Sequence, residues 1–216
     1  MHVRHRDEIV TLRNNEQIDP TVNTGKRLNP KQFYEYLQRD DVIVIDGRNN
    51  YEYDIGHFRN AIRPEVENFK EFPEWLRENI SEHKDKPIIT YCTGGIRCEK
   101  LSSVLLDQGF KDVYQLDGGI VTYGKDPEVK GRLFDGKCYV FDDRISVTIN
   151  QTEEDKMIST CKHCDEPSDR YINCTDNVCD KRHICCEKCE EVTKGFCSTE
   201  CEEESTTSAA ACELEV

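Results

Sequence analysis

Nine of the chain's 13 cysteines fall between residues 161 and 201, in a segment with few large aliphatic side chains. Such a segment cannot bury enough apolar surface to offset the entropy of ordering its backbone, so bound metal must supply the folding free energy. The cysteines come in close pairs: Cys161-x2-Cys164, Cys174-x4-Cys179, Cys186-x2-Cys189 and Cys197-x3-Cys201. Two thiolates near in sequence grip one side of a tetrahedral ion, and two such pairs fill it, so these eight suit two structural zinc ions. Interleaved pairing, first with third and second with fourth, gives a cross-braced module. Sequential pairing satisfies the same count. Cys185 and His183 are spare, each able to replace one of the eight. No coordination position is left open in such sites, which argues for a structural metal. The first 91 residues contain no cysteine, unlike a disulfide scaffold. This clustering points to a reducing compartment.

The chain before that segment is patterned differently. Val42-Ile43-Val44-Ile45, Ile88-Ile89-Thr90-Tyr91 and Val113-Tyr114-Gln115-Leu116 are short runs that suit strands of a parallel sheet buried on both faces. Helical patterns separate them. Asn29 caps one helix with Pro30 at its first position and Phe33, Tyr36 and Leu37 on its apolar face. Others run from Phe69 to Asn79 and from Glu99 to Gln108. Strand–helix alternation predicts an α/β domain over residues 28–127. Residues 1–27 read as a short strand at 7–12 and a polar linker. Residues 128–160 read as a connecting hairpin, Lys137 to Phe141 against Ile145 to Ile149, ahead of the metal module at 161–201. Residues 202–216 are acidic and rich in Ser, Thr and Ala, the composition of a disordered tail.

The net charge of −14, with no strongly basic segment, argues against non-specific nucleic-acid binding driven by counterion release. A local basic patch is compatible with it. No apolar run approaches the roughly 20 residues of a membrane span. Met1 to Arg6 is too short and polar for a signal peptide. These features predict a soluble, cytoplasmic protein with no membrane partner.

Reactive chemistry is expected at Cys92-Thr93-Gly94-Gly95-Ile96-Arg97, between the second strand and the following helix. The glycines Gly94 and Gly95 let backbone N–H groups turn inward, and the helix N-terminus adds positive potential; Thr93 and Ile96 complete this anion cradle. A thiolate at its centre has a lowered pKa and is nucleophilic at neutral pH. Arg97 adds charge and a planar donor fork. Asp46 and Arg48 follow the first strand, as support for the loop or, at least as readily, as a structural ion pair. His57 reads as a turn-stabilising hydrogen-bonder. Cys98, beside Arg97, faces away if the helix starts at Arg97; a packing role is favoured there over a resolving one, which stays open.

Several stretches resemble rhodanese domains: Asp46-Gly47-Arg48, Gly56-His57-Phe58-Arg59-Asn60-Ala61, and Gly109 to Ile120 with its Leu116-Asp117-Gly118-Gly119-Ile120 ending. The resemblance implies a rhodanese-like parallel sheet with helices on both faces, followed by the Cys-rich zinc-binding module. It also implies a loop cysteine that accepts a sulfane sulfur as a persulfide. Phosphatases of related loop design use one more residue between Cys and Arg, and that wider ring holds a tetrahedral phosphate. The four residues between Cys92 and Arg97 make a smaller ring, matched to a persulfide sulfur.

Over a longer reach, Thr90 to Lys100, Phe134 to Arg144, Arg6 to Leu12 and the Cys-rich end resemble the oxygen-dependent tRNA uridine hydroxylase family. That family hydroxylates the wobble uridine of certain tRNAs to 5-hydroxyuridine and needs its loop cysteine, whose place Cys92 takes. The resemblance implies tRNA as partner and molecular oxygen as co-substrate. No organic-cofactor motif is visible. Family members carry a further N-terminal domain, and this chain corresponds to the part that follows it. Two other functions fit the same residues: a sulfurtransferase or persulfide carrier acting on thiosulfate or protein thiols, and a non-catalytic, zinc-stabilised interaction module whose rhodanese domain binds a protein partner, with the zinc module as a further surface for one.

Overall fold

The structure is a computed structural model and describes residues 18–66 and 69–205. The strand expected at 7–12 lies outside the described residues. The described chain falls into two compact units, divided between Asp155 and Lys156.

The first unit is built on a parallel sheet of five strands. In chain order these are β1 (Lys26–Leu28), β2 (Ile43–Asp46), β4 (Ala61–Ile62), β5 (Ile88–Tyr91) and β6 (Val113–Leu116), and their spatial order is β1-β6-β5-β2-β4. β1 begins in residues read as linker, two before the expected start of the domain at 28: Lys26 to Leu28 pairs with Tyr114 to Leu116. Five helices cross between or follow the strands: α1 (Pro30–Leu37), α2 (Asn50–Ile55), α3 (Phe72–Asn79), α4 (Ile96–Asp107) and α5 (Gly119–Lys125). α1 starts where expected, because the Asn29 side chain accepts the Gln32 N–H at 2.9 Å while Pro30 fixes the first turn.

Alternate side chains of each strand feed two cores, one on each face. Val44, Ile89 and Tyr91 pack with Phe33, Phe58, Tyr123 and Phe134 on one side. Ile43, Ile45 and Ile88 pack with Phe72, Leu76, Leu101 and Leu105 on the other. Each large side chain so buried contributes about 1.5–3 kcal/mol. The continuous apolar runs are the signature of this double burial.

The segment read as a connecting hairpin is more closely tied to this unit. β3 (Gly56–Phe58) pairs antiparallel with β7 (Phe134–Tyr139), which in turn pairs with β8 (Ser146–Thr148). Phe134, Cys138 and Ile149 join the first core, which explains why the boundary lies at 155. In the second unit a two-stranded ribbon, β9 (Tyr171–Asn173) and β10 (Arg182–Ile184), precedes α6 (Glu187–Thr193). Residues 202–205, expected as the start of a disordered tail, are helical, within a helical stretch at 199–205. Residues 206–216 lie outside the described residues.

Candidate functional site

The carboxyl ends of β2, β5 and β6 carry the first site, the usual place for ligands in an open parallel sheet. Cys92 follows β5, the central strand, and is 2 % exposed. The Gly95 N–H donates to its Sγ at 3.1 Å. Gly95 has φ of +93°, which turns that N–H inward. Gly94 has no such constraint and faces open space, so only one of the two glycines is sterically required.

The cradle is closed from behind by α5. Ile120 N–H donates to Cys92 O at 3.0 Å, and Val121 N–H to Thr93 O at 3.2 Å. A Cβ on Gly119 would sit 2.5 Å from Cys92 O and 2.7 Å from Gly95 N. Gly119 is therefore what lets α5 dock against the loop.

The surroundings of the sulfur pull the Cys92 thiol down to about 6. The largest cause is the Cys98 thiol, which hydrogen-bonds to it; burial opposes the shift, and the Arg97 charge and the N–H groups of Cys98 and Arg97 favour it. The thiolate is thus the dominant form at neutral pH. Cys98 itself is pushed well above the ordinary thiol range, chiefly by burial and then by the neighbouring Cys92. The expectation that Cys98 faces away is corrected here. α4 begins at Ile96, one residue before the expected start, and one residue is about 100° of helical rotation.

Arg97 is held in place by a residue that the sequence did not single out. Its guanidinium donates to both carboxylate oxygens of Glu52, at 2.6 and 2.8 Å, and to Thr93 Oγ1 at 3.3 Å. Glu52 has no exposed side-chain surface and also accepts from Thr93 Oγ1 at 3.2 Å. Its carboxyl is held below the usual range: burial opposes this, and the Arg97 bonds and charge outweigh it. The available signal was the capping box Asn49-x-x-Glu52, where Asn49 N–H donates to Glu52 Oε2 at 3.1 Å.

Asp46 and Arg48 form a buried ion pair, 2.6 Å between Oδ2 and Nη2, and Arg48 also donates to Gly56 O at 2.6 Å. Among the described residues neither bonds to Cys92; they brace the β2 end against β3 instead. His57 Nδ1 lies 3.0 Å from Tyr53 O and its ring stacks on Tyr53 at 3.8 Å, as a turn-stabilising residue would. Beside the loop a cleft opens between Gly94, Gly95, Ile96 and Gly118, with Arg27 and Glu99 on its rim.

The second unit gathers the eight paired cysteines into two quartets that can hold metal ions. Cys161, Cys164, Cys186 and Cys189 form one, and Cys174, Cys179, Cys197 and Cys201 the other, which is the interleaved arrangement. Sulfur–sulfur separations are 3.8 Å for Cys164–Cys186 and 3.6 Å for both Cys174–Cys201 and Cys179–Cys197. A tetrahedral ion with metal–sulfur bonds of about 2.3 Å has edges of about 3.8 Å. A disulfide, at about 2.05 Å, does not fit. Cys185 and His183 join neither quartet and lie with His163.

A strand-end thiolate in a backbone cradle, on an open parallel sheet, defines a class. The chain carries a domain of that class: residues 29–126 match the rhodanese-like domain family and 135–202 the rhodanase C-terminal family. Particular relatives follow from the whole sequence. Over 201 residues, 93 % of this chain, it is 57 % identical to the tRNA uridine(34) hydroxylase of Bacillus licheniformis and 55 % identical to that of Bacillus velezensis. The chain spans 62 % of the length of those two curated relatives. Among solved structures, the rhodanese-like domain of the Anabaena protein Alr3790 overlaps 52 % of this chain and 80 % of its own, with a TM-score of 0.43 and 18 % identity.

Proposed function

We propose that this chain carries the rhodanese and metal-binding parts of a tRNA-modifying enzyme that hydroxylates the wobble uridine to 5-hydroxyuridine in the cytoplasm. The observation that carries this reading is the 57 % identity, across 93 % of the chain, to a protein named for that activity. Geometry supports a reactive role for Cys92, whose thiolate is buried and stabilised in a loop whose Gly94, Gly95 and Ile96 line a neighbouring cleft. In this reading Cys92 is the nucleophile and the Gly95 N–H holds its charge. Arg97, oriented by Glu52, supplies positive potential. Zinc is the metal we assign to the two quartets, each with four thiolates and no open position. Molecular oxygen is the co-substrate and tRNA the partner. Among the described residues no helix is long and apolar enough to cross a membrane.

A second reading, sulfur transfer, is favoured by the small ring. The Cys92 thiolate attacks the outer sulfur of a donor such as thiosulfate, sulfite leaves with the electron pair of the broken S–S bond, and a Cys92 persulfide remains.

Nucleoside mass spectrometry of tRNA from cells lacking the gene tests the first reading. Loss of 5-hydroxyuridine and its derivatives, restored by the wild-type gene and not by Cys92→Ser, is the expected result. An unchanged nucleoside profile, with thiosulfate adding one sulfur to Cys92 in the purified protein, replaces it with the second.

A further inference from the structure

We propose that His163, His183 and Cys185 form a third metal site, a two-imidazole, one-thiolate site for a zinc ion, separate from the two cysteine quartets. One ligand atom from each of the three lies within 4.8 Å of the others. No fourth His, Cys, Asp or Glu among the described residues completes this group. It therefore has three protein ligands and one position left for water, the arrangement of open zinc sites rather than closed structural ones.

A second, independent observation points to the ion. His183 is 5 % exposed, and neither of its buried ring nitrogens makes a well-formed hydrogen bond, although the Lys181 backbone lies close by. Nε2 of His163 is likewise buried without a hydrogen-bond partner. A neutral imidazole has one N–H donor and one lone pair, and leaving both without partners in the interior is costly. The edge-on packing of the two rings, with centroids 5.4 Å apart and planes at 85°, satisfies neither nitrogen of His183. A shared cation takes up the lone pairs that the chain leaves unused.

The local fold explains why the three meet. His163 sits inside the turn between Cys161 and Cys164, and Cys185 directly precedes Cys186, so the first quartet fixes both. β10 carries His183 two residues before Cys185, on the same face of the strand. Charge favours the pair of neighbouring ions. A dication in four thiolates carries a formal charge of about −2, whereas one in a single thiolate and two neutral imidazoles carries about +1. The Cys185 thiol lies beside Cys161, at the junction of the two.

Zinc analysis of the full chain, purified reduced and without chelators, tests the site. Three zinc per chain are expected, falling to two in His183→Gln and in Cys185→Ser while resistance of the module to protease is kept. Titration of the metal-free protein with cobalt(II) gives a readout that does not depend on the variants. Thiolate-to-cobalt absorbance grows with the number of cobalt–sulfur bonds, so one equivalent should contribute about a quarter of the intensity of each of the others. A weak chelator should remove one zinc of the three first, because its coordination shell is open. Two zinc per chain with only two equal cobalt equivalents overturns the proposal. Loss of one of only two zinc in Cys185→Ser also overturns it, since that makes Cys185 a ligand of the first quartet.

Discussion

The cysteine pair at the carboxyl end of β5 shows how far one side chain reaches. Cys92 was legible in the sequence because a strand end, a Gly pair and an Arg stand at fixed spacing around it. Cys98 and Glu52 were not, since both act through a helix start and a cap whose rotation a linear reading does not fix to one residue. Cys98 carries a consequence that can be measured. Its thiol is the largest influence lowering Cys92, so Cys98→Ala should raise the pH at which Cys92 becomes reactive. In the wild type, the alkylation rate of the Cys92 peptide, followed by mass spectrometry, should fall as pH drops through about 6, where the thiolate is protonated. In the variant the inflection should move up toward the ordinary thiol value of about 8.5, short of it because Arg97 and the Gly95 N–H remain. An inflection that stays put removes Cys98 from the account.

Elements meet at the loop more closely than their sequences suggest. The strands and crossing helices were readable because apolar runs and caps report local structure and double burial. The docking of α5 on the Cys92 loop was not, since it joins segments nearly thirty residues apart through backbone alone. Gly119 is the contact point, with φ of +65° and no room for a Cβ. Gly119→Ala should lower the stability of the first unit by on the order of 3 kcal/mol, the sum of left-handed strain and a forced shift of the loop. Gly94→Ala, where a Cβ meets nothing within 4 Å, should change it little. Urea denaturation of the two variants checks the contrast. Equal losses would mean that α5 does not brace the loop.

The two units of the molecule should respond oppositely to metal removal. Both apolar cores lie between Leu28 and Ile149, so the first unit has its own source of stability. The second has little beyond Tyr171, Ile184 and its cysteines in the interior. The sequence carried this division in its uneven cysteines. It left the pairing open, because interleaved and sequential arrangements have the same spacing. Trp75, the chain's single tryptophan, packs against the second core and so reports on the first unit only. A strong chelator should leave its fluorescence and urea midpoint unchanged while protease begins to cut between 156 and 205. A module that resists protease after its metal is gone would contradict the reading of the quartets. So would a first unit that melts with it.

The interleaving of the quartets makes the second unit two half-clasps. Cys161, Cys164, Cys174 and Cys179 all precede Asp180, and Cys186, Cys189, Cys197 and Cys201 all follow Lys181. An ion held in either quartet would tie an early stretch to a late one, and the peptide link between the stretches would not be what keeps them together. A single cut between Asp180 and Lys181 should leave two fragments that travel as one species on a native gel and part when chelator is added. Sequential pairing would let each fragment leave with its own ion. The same wiring means that neither quartet can be completed on a growing chain until the later stretch has been made, so metal bound there would act as a late latch on a module whose halves are synthesised in succession.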